Sequence, residues 1–318
     1  MLRSQRERRV RTRTTYTGEP ISTAGRHLAR MGEDEPPIPA AAEEQAALET
    51  RLLAKWGYTE YRAWDVPFDR SADRRRKAYP PFGFRYVVPL TNELQISVHP
   101  DLLPQFIDRV LPSVDPDSGE VWGIPGLRAR VHNRYVLLAR PGMDARIKIW
   151  VRRTHWDNAV ARALQGLELD MVAWLTRPDE WTLEETLFIE RYGHLYDYRV
   201  VGNAFISGLL RRCHALHGQV YTRYWHLWMD SVVKLEWAGG LTHRVVIDRL
   251  QDPDFGLQAA LEDETWQCRC EETEGDRRNP CYWATLIDHS GLELDLRRHP
   301  IGIWEETTDS RWHDGGEG

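Results

Sequence analysis

Apolar residues recur at helical spacing in several stretches of the chain. The clearest stretch is 43–56, where Leu48, Leu52 and Trp56 fall on one side and Gly57 follows at the position of a C-terminal cap. Thr182 begins a second clear segment with a capping-box pattern. By the same criteria we predict helices at 18–31, 43–56, 99–111, 157–167, 169–175, 182–192 and 203–218.

Alternation of apolar and polar residues marks the strands. The turn residues Thr91 and Asn92 separate two alternating runs and predict a hairpin. The sequence AGGL separates the runs 231–237 and 242–250, which predicts a second hairpin. In total, strands are predicted at 85–90, 93–98, 127–131, 135–139, 146–151, 220–229, 231–237, 242–250, 265–272, 281–288 and 292–297.

These elements predict an α+β fold with antiparallel sheets, a helical middle segment and an extended N-terminal arm. A length of 318 residues allows one large domain or two ordinary ones. We divide the chain into a basic arm with an acidic, proline-rich linker at 1–42, an N-terminal α+β unit at 43–155, and a helical segment with a C-terminal antiparallel sheet at 156–318. The last two units either share one hydrophobic core or form separate domains.

Charge is segregated at the start of the chain. Residues 1–30 hold eight arginines and two glutamates, whereas residues 31–50 hold six acidic residues and no basic one. Blocks of this kind often form interaction tails, and the low apolar content predicts an arm that is disordered on its own. Three alternatives stay open: the arm binds nucleic acid, it binds an acidic protein surface, or it is a solvated tail.

The candidate binding residues are basic and form three clusters. The third cluster lies on a predicted strand beside Trp150, so that one strand face offers cations for phosphate and an aromatic ring for a base; the alternative is the ordinary solvated side of a half-buried strand. Arginine makes up all but four of the 42 basic residues, as a GC-rich genome would also produce. The candidates are Arg3, Arg6, Arg8, Arg9, Arg11 and Arg13 in the arm, Arg74, Arg75 and Arg76 in a loop, and Arg146, Lys148 and Arg152 on the strand.

Four residues near the C-terminus have side chains of the types that serve as zinc ligands in proteins. Cys268 and Cys270 share one face of a predicted strand, Cys281 begins the next strand, and His289 follows it. The spacing differs from the paired C-x-x-C knuckles of typical structural zinc sites. A structural zinc ion and buried thiols in a sheet are the two alternatives, and we predict no other cofactor.

Two further groups resemble catalytic or metal sites less closely. His214 and His217 are three residues apart on a predicted helix, but no third ligand is close in the sequence. Lys234, Glu236 and Asp248 lie on the predicted second hairpin, where they form either a nuclease-like cluster or a surface ion pair.

No nucleophile elbow, zinc-protease, P-loop or dinucleotide-binding motif occurs in the chain. We therefore expect a non-enzymatic accessory or assembly protein of a GC-rich bacterium or its phage, whose basic arm binds nucleic acid or a partner protein. The alternatives are a structural subunit of a large particle such as a virion, with homo-oligomer or particle neighbours, and a metal-dependent hydrolase or nuclease. The charged N-terminus and the lack of long apolar runs predict a cytoplasmic protein without membrane contact, or a virion protein if it is phage-encoded.

Overall fold

The structure is a computed structural model, and it describes residues 4–32, 35–57, 80–115, 117–165, 172–197, 203–216, 221–226, 232–238, 241–265 and 282–299. The predicted α+β class is confirmed. The helices are α1 (Gln5–Thr17), α2 (Ile21–Leu28), α3 (Glu43–Gly57), α4 (Leu103–Val110), α5 (Arg153–Ala163), α6 (Ala173–Thr176), α7 (Leu183–Asp197), α8 (Asn203–Arg211) and α9 (His243–Leu250).

Short 3₁₀ helices at Pro81–Gly83, Pro100–Leu102 and Cys213–Leu216 accompany these helices. The strands are β1 (Phe84–Leu90), β2 (Glu93–Val98), β3 (Ser113–Val114), β4 (Val121–Trp122), β5 (Arg128–Val131), β6 (Tyr135–Ala139), β7 (Arg146–Trp150), β8 (Tyr221–His226), β9 (Val232–Ala238), β10 (Ala259–Thr265), β11 (Tyr282–Asp288) and β12 (Glu293–His299).

The ten longer strands form two five-stranded sheets. Sheet 1 has the order β1-β2-β7-β6-β5, and sheet 2 has the order β10-β11-β12-β9-β8. Most neighbours are antiparallel, as predicted, but β2 pairs with β7 in parallel and so does β9 with β12. Each sheet is therefore mixed, because the last strand of a three-stranded meander returns beside the second strand of a hairpin.

Both sheets follow the same path through the chain. In each, a helix (α3 or α8) precedes a hairpin, a second helix (α4 or α9) follows, and a three-stranded meander completes the sheet. The parallel pair occupies the same place in both orders. The described chain thus contains the same arrangement of elements twice, although the sequence shows no repeat at a fixed period.

The helices that precede the two sheets pack on each other through a buried ion pair. Arg211 of α8 donates from Nη2 to Glu49 Oε1 of α3 at 2.6 Å and from Nε to Glu49 Oε2 at 2.8 Å, and both side chains are fully buried. Ser207 Oγ also donates to Glu49 Oε2, at 2.5 Å. One cluster of buried apolar side chains extends around this contact and includes residues of both sheets, such as Ile96 and Leu294.

The N-terminal segment is a helix that belongs to this core, which corrects the expectation of an extended, disordered arm. Ser4 caps α1, and Gly18 ends it with a left-handed conformation at φ 70°. The Tyr16 ring stacks on Phe255 at a centroid distance of 5.6 Å, and its hydroxyl donates to the Arg249 carbonyl at 2.9 Å. Burial, together with smaller electrostatic effects, raises the pKa of Tyr16 well above its usual value.

The second predicted hairpin is also wrong, because its second half forms α9. Thr242 caps this helix by accepting a hydrogen bond from the Val245 amide at 3.5 Å. Val246, Ile247 and Leu250 are buried along one side of it. The run of β-branched residues favours a strand, but their spacing also suits one turn of helix, and packing against the core selects the helix.

Candidate functional site

The outer face of sheet 1 carries the third predicted basic cluster. Along β7 the side chains alternate, with Ile147 and Ile149 buried and with Arg146, Lys148 and Trp150 on the more open side. The predicted alternation is confirmed for Arg146 and Lys148, but the placement of Arg152 on the strand is wrong, because β7 ends at Trp150 and Arg152 is the N-cap residue of α5. The alternation follows from the strand geometry, in which successive side chains point to opposite faces of the sheet.

Aromatic rings surround Lys148 on this face. Lys148 Nζ lies 4.4 Å from the ring centroid of Tyr135 and 5.0 Å from that of Trp150. The two rings meet edge to face at 6.0 Å, and His132 stacks on Tyr135 at 4.4 Å. The Trp150 indole donates from Nε1 to Gln95 Oε1 at 3.0 Å, yet 37% of the residue stays exposed. We call His132, Tyr135, Lys148 and Trp150 the aromatic platform.

A cleft of about 380 Å³ lies on one side of Trp150, between α2 and sheet 1. Its size is within the range of small-molecule sites. The segment around α2 contributes three cationic or ionisable side chains, and the sheet contributes rings and an amide. We call it the α2 cleft, and its main lining residues are Arg26, His27, Arg30, Tyr86, Gln95 and Trp150.

A buried chain of hydrogen bonds holds His27 in place. Glu19 Oε1 lies 2.7 Å from His27 Nδ1, and Glu19 Oε2 accepts from Arg13 Nε at 2.6 Å and from Thr17 Oγ1 at 3.0 Å. Burial alone raises the pKa of Glu19, but the hydrogen bonds from His27 and Arg13 outweigh it and hold the pKa below the usual range. A carboxylate on Nδ1 fixes the ring and directs Nε2 away from Glu19.

A second, smaller cleft lies on the other side of Trp150. It measures about 240 Å³, and we call it the α5 cleft because His155 of α5 lines it. Arg85 and Arg152 supply two further cations, and Leu103 supplies apolar surface. Trp150 therefore stands between two clefts, each of which contains two arginines and a histidine.

The linings of the two clefts are basic, while Glu93 lies on the same face of sheet 1, where its carboxylate accepts from the Gln95 amide at 2.7 Å. In the described part of the chain, no carboxylate lines either cleft. Arg30, Arg85, Lys148 and Arg152 also have no ion-pair partner among the described residues. The whole sequence has a net charge of −6. Basic cleft linings on an acidic protein are a local feature that favours anions.

The corresponding face of sheet 2 has its charges paired. Lys234 Nζ lies 4.0 Å from Asp295 Oδ2, and Arg297 Nη1 lies 3.2 Å from Glu236 Oε1. Both cations also lie over the Trp283 ring, at 5.7 and 4.7 Å from its centroid. The parallel register of β9 and β12 places each cation opposite its carboxylate. This face combines tryptophan and basic residues as sheet 1 does, but its cations are neutralised.

The proposed association of Lys234, Glu236 and Asp248 is wrong, both as a nuclease-like cluster and as a pair between the first two. The two strand residues pair across to β12 instead, and Asp248 lies on α9, where it pairs with Arg244 at 3.1 Å. His214 is buried, and its Nε2 lies 2.8 Å from the Phe84 carbonyl, whereas residue 217 lies outside the described residues.

The arm residues separate into buried and exposed members. Arg13 is buried in its ion pair with Glu19 and is therefore not available to a ligand. Arg6, Arg8 and Arg11 are exposed on α1, while Arg9 is half-buried and residue 3 lies outside the described part. The loop residues Arg74, Arg75 and Arg76 and the thiols Cys268, Cys270 and Cys281 also lie outside it.

The zinc prediction therefore stays a prediction. His289 is exposed in the turn between β11 and β12. Across the ranges that the structure describes, no three side chains among His, Cys, Asp and Glu are grouped so that they could hold a metal ion. Within the same ranges, no helix is long and apolar enough to cross a membrane.

Sequence reasoning did not identify the residues around α2 and β1 as part of a site. Arg26 and Arg30 contribute to the charge of the arm, His27 was not predicted as a site residue, and Tyr86 lies in a predicted strand. The spacing of Arg26 and Arg30, four residues apart, was the one local signal that they lie on the same side of a helical segment. Nothing local indicated that this side faces Trp150.

Comparison of the chain with protein-family models, with curated proteins and with solved structures found no match. The function is therefore argued from the geometry of the site.

Proposed function

We propose that this protein is a non-enzymatic binding protein that holds single-stranded nucleic acid on the outer face of sheet 1. The observation that carries the proposal is the half-exposed Trp150 between two carboxylate-free basic clefts. Proteins that bind single strands combine a positively charged groove for the backbone with aromatic rings on which bases stack.

The cations of both clefts would contact the phosphates on either side of a stacked base. Arg26 and Arg30 line the α2 cleft, Arg85 and Arg152 line the α5 cleft, and Lys148 lies over the Trp150 ring. Each phosphate neutralised by such a side chain releases condensed counterions, which favours binding at low salt. On the corresponding face of sheet 2, the cations Lys234 and Arg297 are instead neutralised by Asp295 and Glu236.

The aromatic platform supports stacking in particular. Trp150 is oriented by its hydrogen bond to Gln95, and the Tyr135 ring contacts both His132 and Lys148. Because these rings are fixed before the ligand arrives, a base that stacks on Trp150 loses little free energy to ordering the protein. Every base has a ring face, so this mode of binding tolerates different sequences.

The proposal is tested by fluorescence anisotropy with a labelled, hydroxyl-ended single strand of mixed sequence. Trp150→Leu should weaken binding by about 1–3 kcal/mol, the usual contribution of one stacked base. Trp122→Leu is the matched control, because Trp122 is 55% exposed but lies on β4, away from both clefts. Arg152→Gln should lower affinity and reduce the salt dependence by about one phosphate contact, a slope change of roughly 0.7.

Equal affinities of the Trp150→Leu and Trp122→Leu variants would show that the aromatic platform is not part of the interface. The double variant Arg8→Gln with Arg11→Gln tests the hypothesis that the N-terminal arm binds the ligand. Both side chains are exposed on α1. Loss of binding in that double variant alone would move the interface to α1. Deletion of the arm is unsuitable, because α1 contributes Arg13 and Tyr16 to the core.

A further inference from the structure

We infer that the α2 cleft takes the terminal phosphomonoester of the bound strand, so that the protein prefers phosphorylated ends. This inference rests on the proposed function and names the part of the ligand that the cleft accepts. The α2 cleft and the aromatic platform share Trp150, so a base stacked on that ring has its own phosphate within the reach of the cleft.

The donor set matches a terminal phosphate better than a phosphodiester. A phosphomonoester carries a charge of about −1.5 to −2 near neutral pH and has three terminal oxygens, whereas a phosphodiester carries one charge on two oxygens. The α2 cleft presents two guanidinium groups, of Arg26 and Arg30, and the imidazole of His27. No carboxylate shares the lining with them in the described residues.

His27 distinguishes this cleft from the α5 cleft. Its Nδ1 is fixed on Glu19 at 2.7 Å, and Glu19 is itself fixed by Arg13 at 2.6 Å. Because Nδ1 donates to Glu19, Nε2 donates to a ligand oxygen only when the ring is the doubly protonated imidazolium, the form that two flanking anions favour. Among the described residues, His155 in the α5 cleft has no such carboxylate behind it. A preorganised donor contributes more to binding than one that must be ordered by the ligand.

The guanidinium groups are available without breaking an internal ion pair. The Arg30 guanidinium has no ion-pair or hydrogen-bond partner among the described residues, and that of Arg26 donates only a long hydrogen bond, 3.4 Å, to Thr23 Oγ1. Both side chains are exposed on the outside of the fold. Substitution of either one should therefore change the ligand contacts and leave the core intact.

The test compares three versions of one labelled strand: a 5′-phosphorylated strand, a 3′-phosphorylated strand and a strand with hydroxyls at both ends. We expect one phosphorylated form to bind about tenfold more tightly than the hydroxyl form, the effect of one charge-assisted hydrogen bond. The two phosphorylated arms decide which end enters the cleft. Arg30→Gln and His27→Gln should each reduce the preference, while Arg11→Gln on α1 should leave it unchanged.

The outcomes separate the two proposals. Equal binding of all three strands, with Trp150 still required, would refute the terminal-phosphate inference and leave the proposed function standing. An end preference that survives Arg30→Gln and His27→Gln would place the phosphate elsewhere and refute the assignment to the α2 cleft. Absence of binding for every strand would refute both proposals.

Discussion

Replacement of Arg13 by methionine tests whether the N-terminal helix is part of the folded core. The Arg13 side chain is 1% exposed and that of Glu19 is fully buried. Arg13 donates to Glu19 at 2.6 and 3.3 Å and also to the Pro37 carbonyl. Methionine matches the apolar stem of arginine and has a similar helix propensity, so that the substitution mainly removes the guanidinium with its charge and donors.

The expected cost is large because Glu19 stays behind in the interior. Removal of one partner of a buried ion pair costs about 3–5 kcal/mol, since a buried carboxylate loses its compensating charge. That cost is a large part of the free energy of unfolding of a typical domain, which is roughly 5–15 kcal/mol. Thr17 and His27 still contact the carboxylate, which favours the lower end of the range.

The free energy of unfolding from a urea titration, followed by tryptophan fluorescence, measures the cost. Arg11→Met is the matched control, because Arg11 lies on the same helix but is exposed, and surface changes of this kind stay within about 0.5 kcal/mol. The double variant Arg13→Met with Glu19→Gln should lose less than Arg13→Met alone, because the unpaired charge is gone. Identical unfolding curves for Arg13→Met and Arg11→Met would show that α1 does not belong to the core.

Two further predictions concern the contact between α7 and sheet 1. Burial raises the pKa of Glu185, but the hydrogen bonds from Arg128, Thr182 and Gly126 outweigh it and hold the pKa below its usual value. This contribution to stability is complete above the ordinary glutamate pKa of about 4.3 and is lost as the pH falls towards the lower pKa of the folded state. In acid titrations, the free energy of unfolding should therefore fall more steeply for the wild type than for Glu185→Gln. Parallel curves would contradict the pairing. Gly126→Ala should destabilise the protein by clearly more than the roughly 1–2 kcal/mol that the left-handed conformation alone costs, because a Cβ at Gly126 would lie 2.5 Å from Trp181. Gly142→Ala is the matched control, since Gly142 has a similar positive φ and a Cβ there would meet nothing within 4 Å. In thermal or urea unfolding, an equal loss for Gly126→Ala and Gly142→Ala would mean that the Trp181 contact is not made.

The capping box of α7 shows where local pattern was sufficient. Thr182 Oγ1 accepts from the Glu185 amide at 3.1 Å, and Glu185 Oε2 accepts from the Thr182 amide at 2.9 Å, as the sequence predicted. The same Glu185 also pairs with Arg128, 57 residues earlier, at 2.6 Å. The capping role follows from spacing along one helix, whereas the partner on β5 could not be predicted from spacing.

The α1 helix shows why local pattern failed elsewhere. Its buried side contains Val10, Arg13, Tyr16 and Thr17 at helical spacing. Arginine and threonine interrupt what would otherwise read as an apolar stripe. Thr17 donates to the Arg13 carbonyl within the helix, and Arg13 pairs with Glu19 and also donates to the Pro37 carbonyl, which only the fold brings near. Composition alone therefore predicted an arm that is disordered on its own.

The sequence by itself determined the α+β class, most helices and strands, and the alternation that exposes Lys148 and Trp150 on one side of β7. These features are local, since the spacing of apolar residues reports which side of an element faces the core. Only the tertiary structure decided the parallel pairing of β2 with β7, the duplicated path of the two sheets, and the cleft in which Arg26 and His27 meet Trp150. Those features depend on contacts between residues far apart in the chain, and the periodicity of one segment carries no information about which other segment it will pack against.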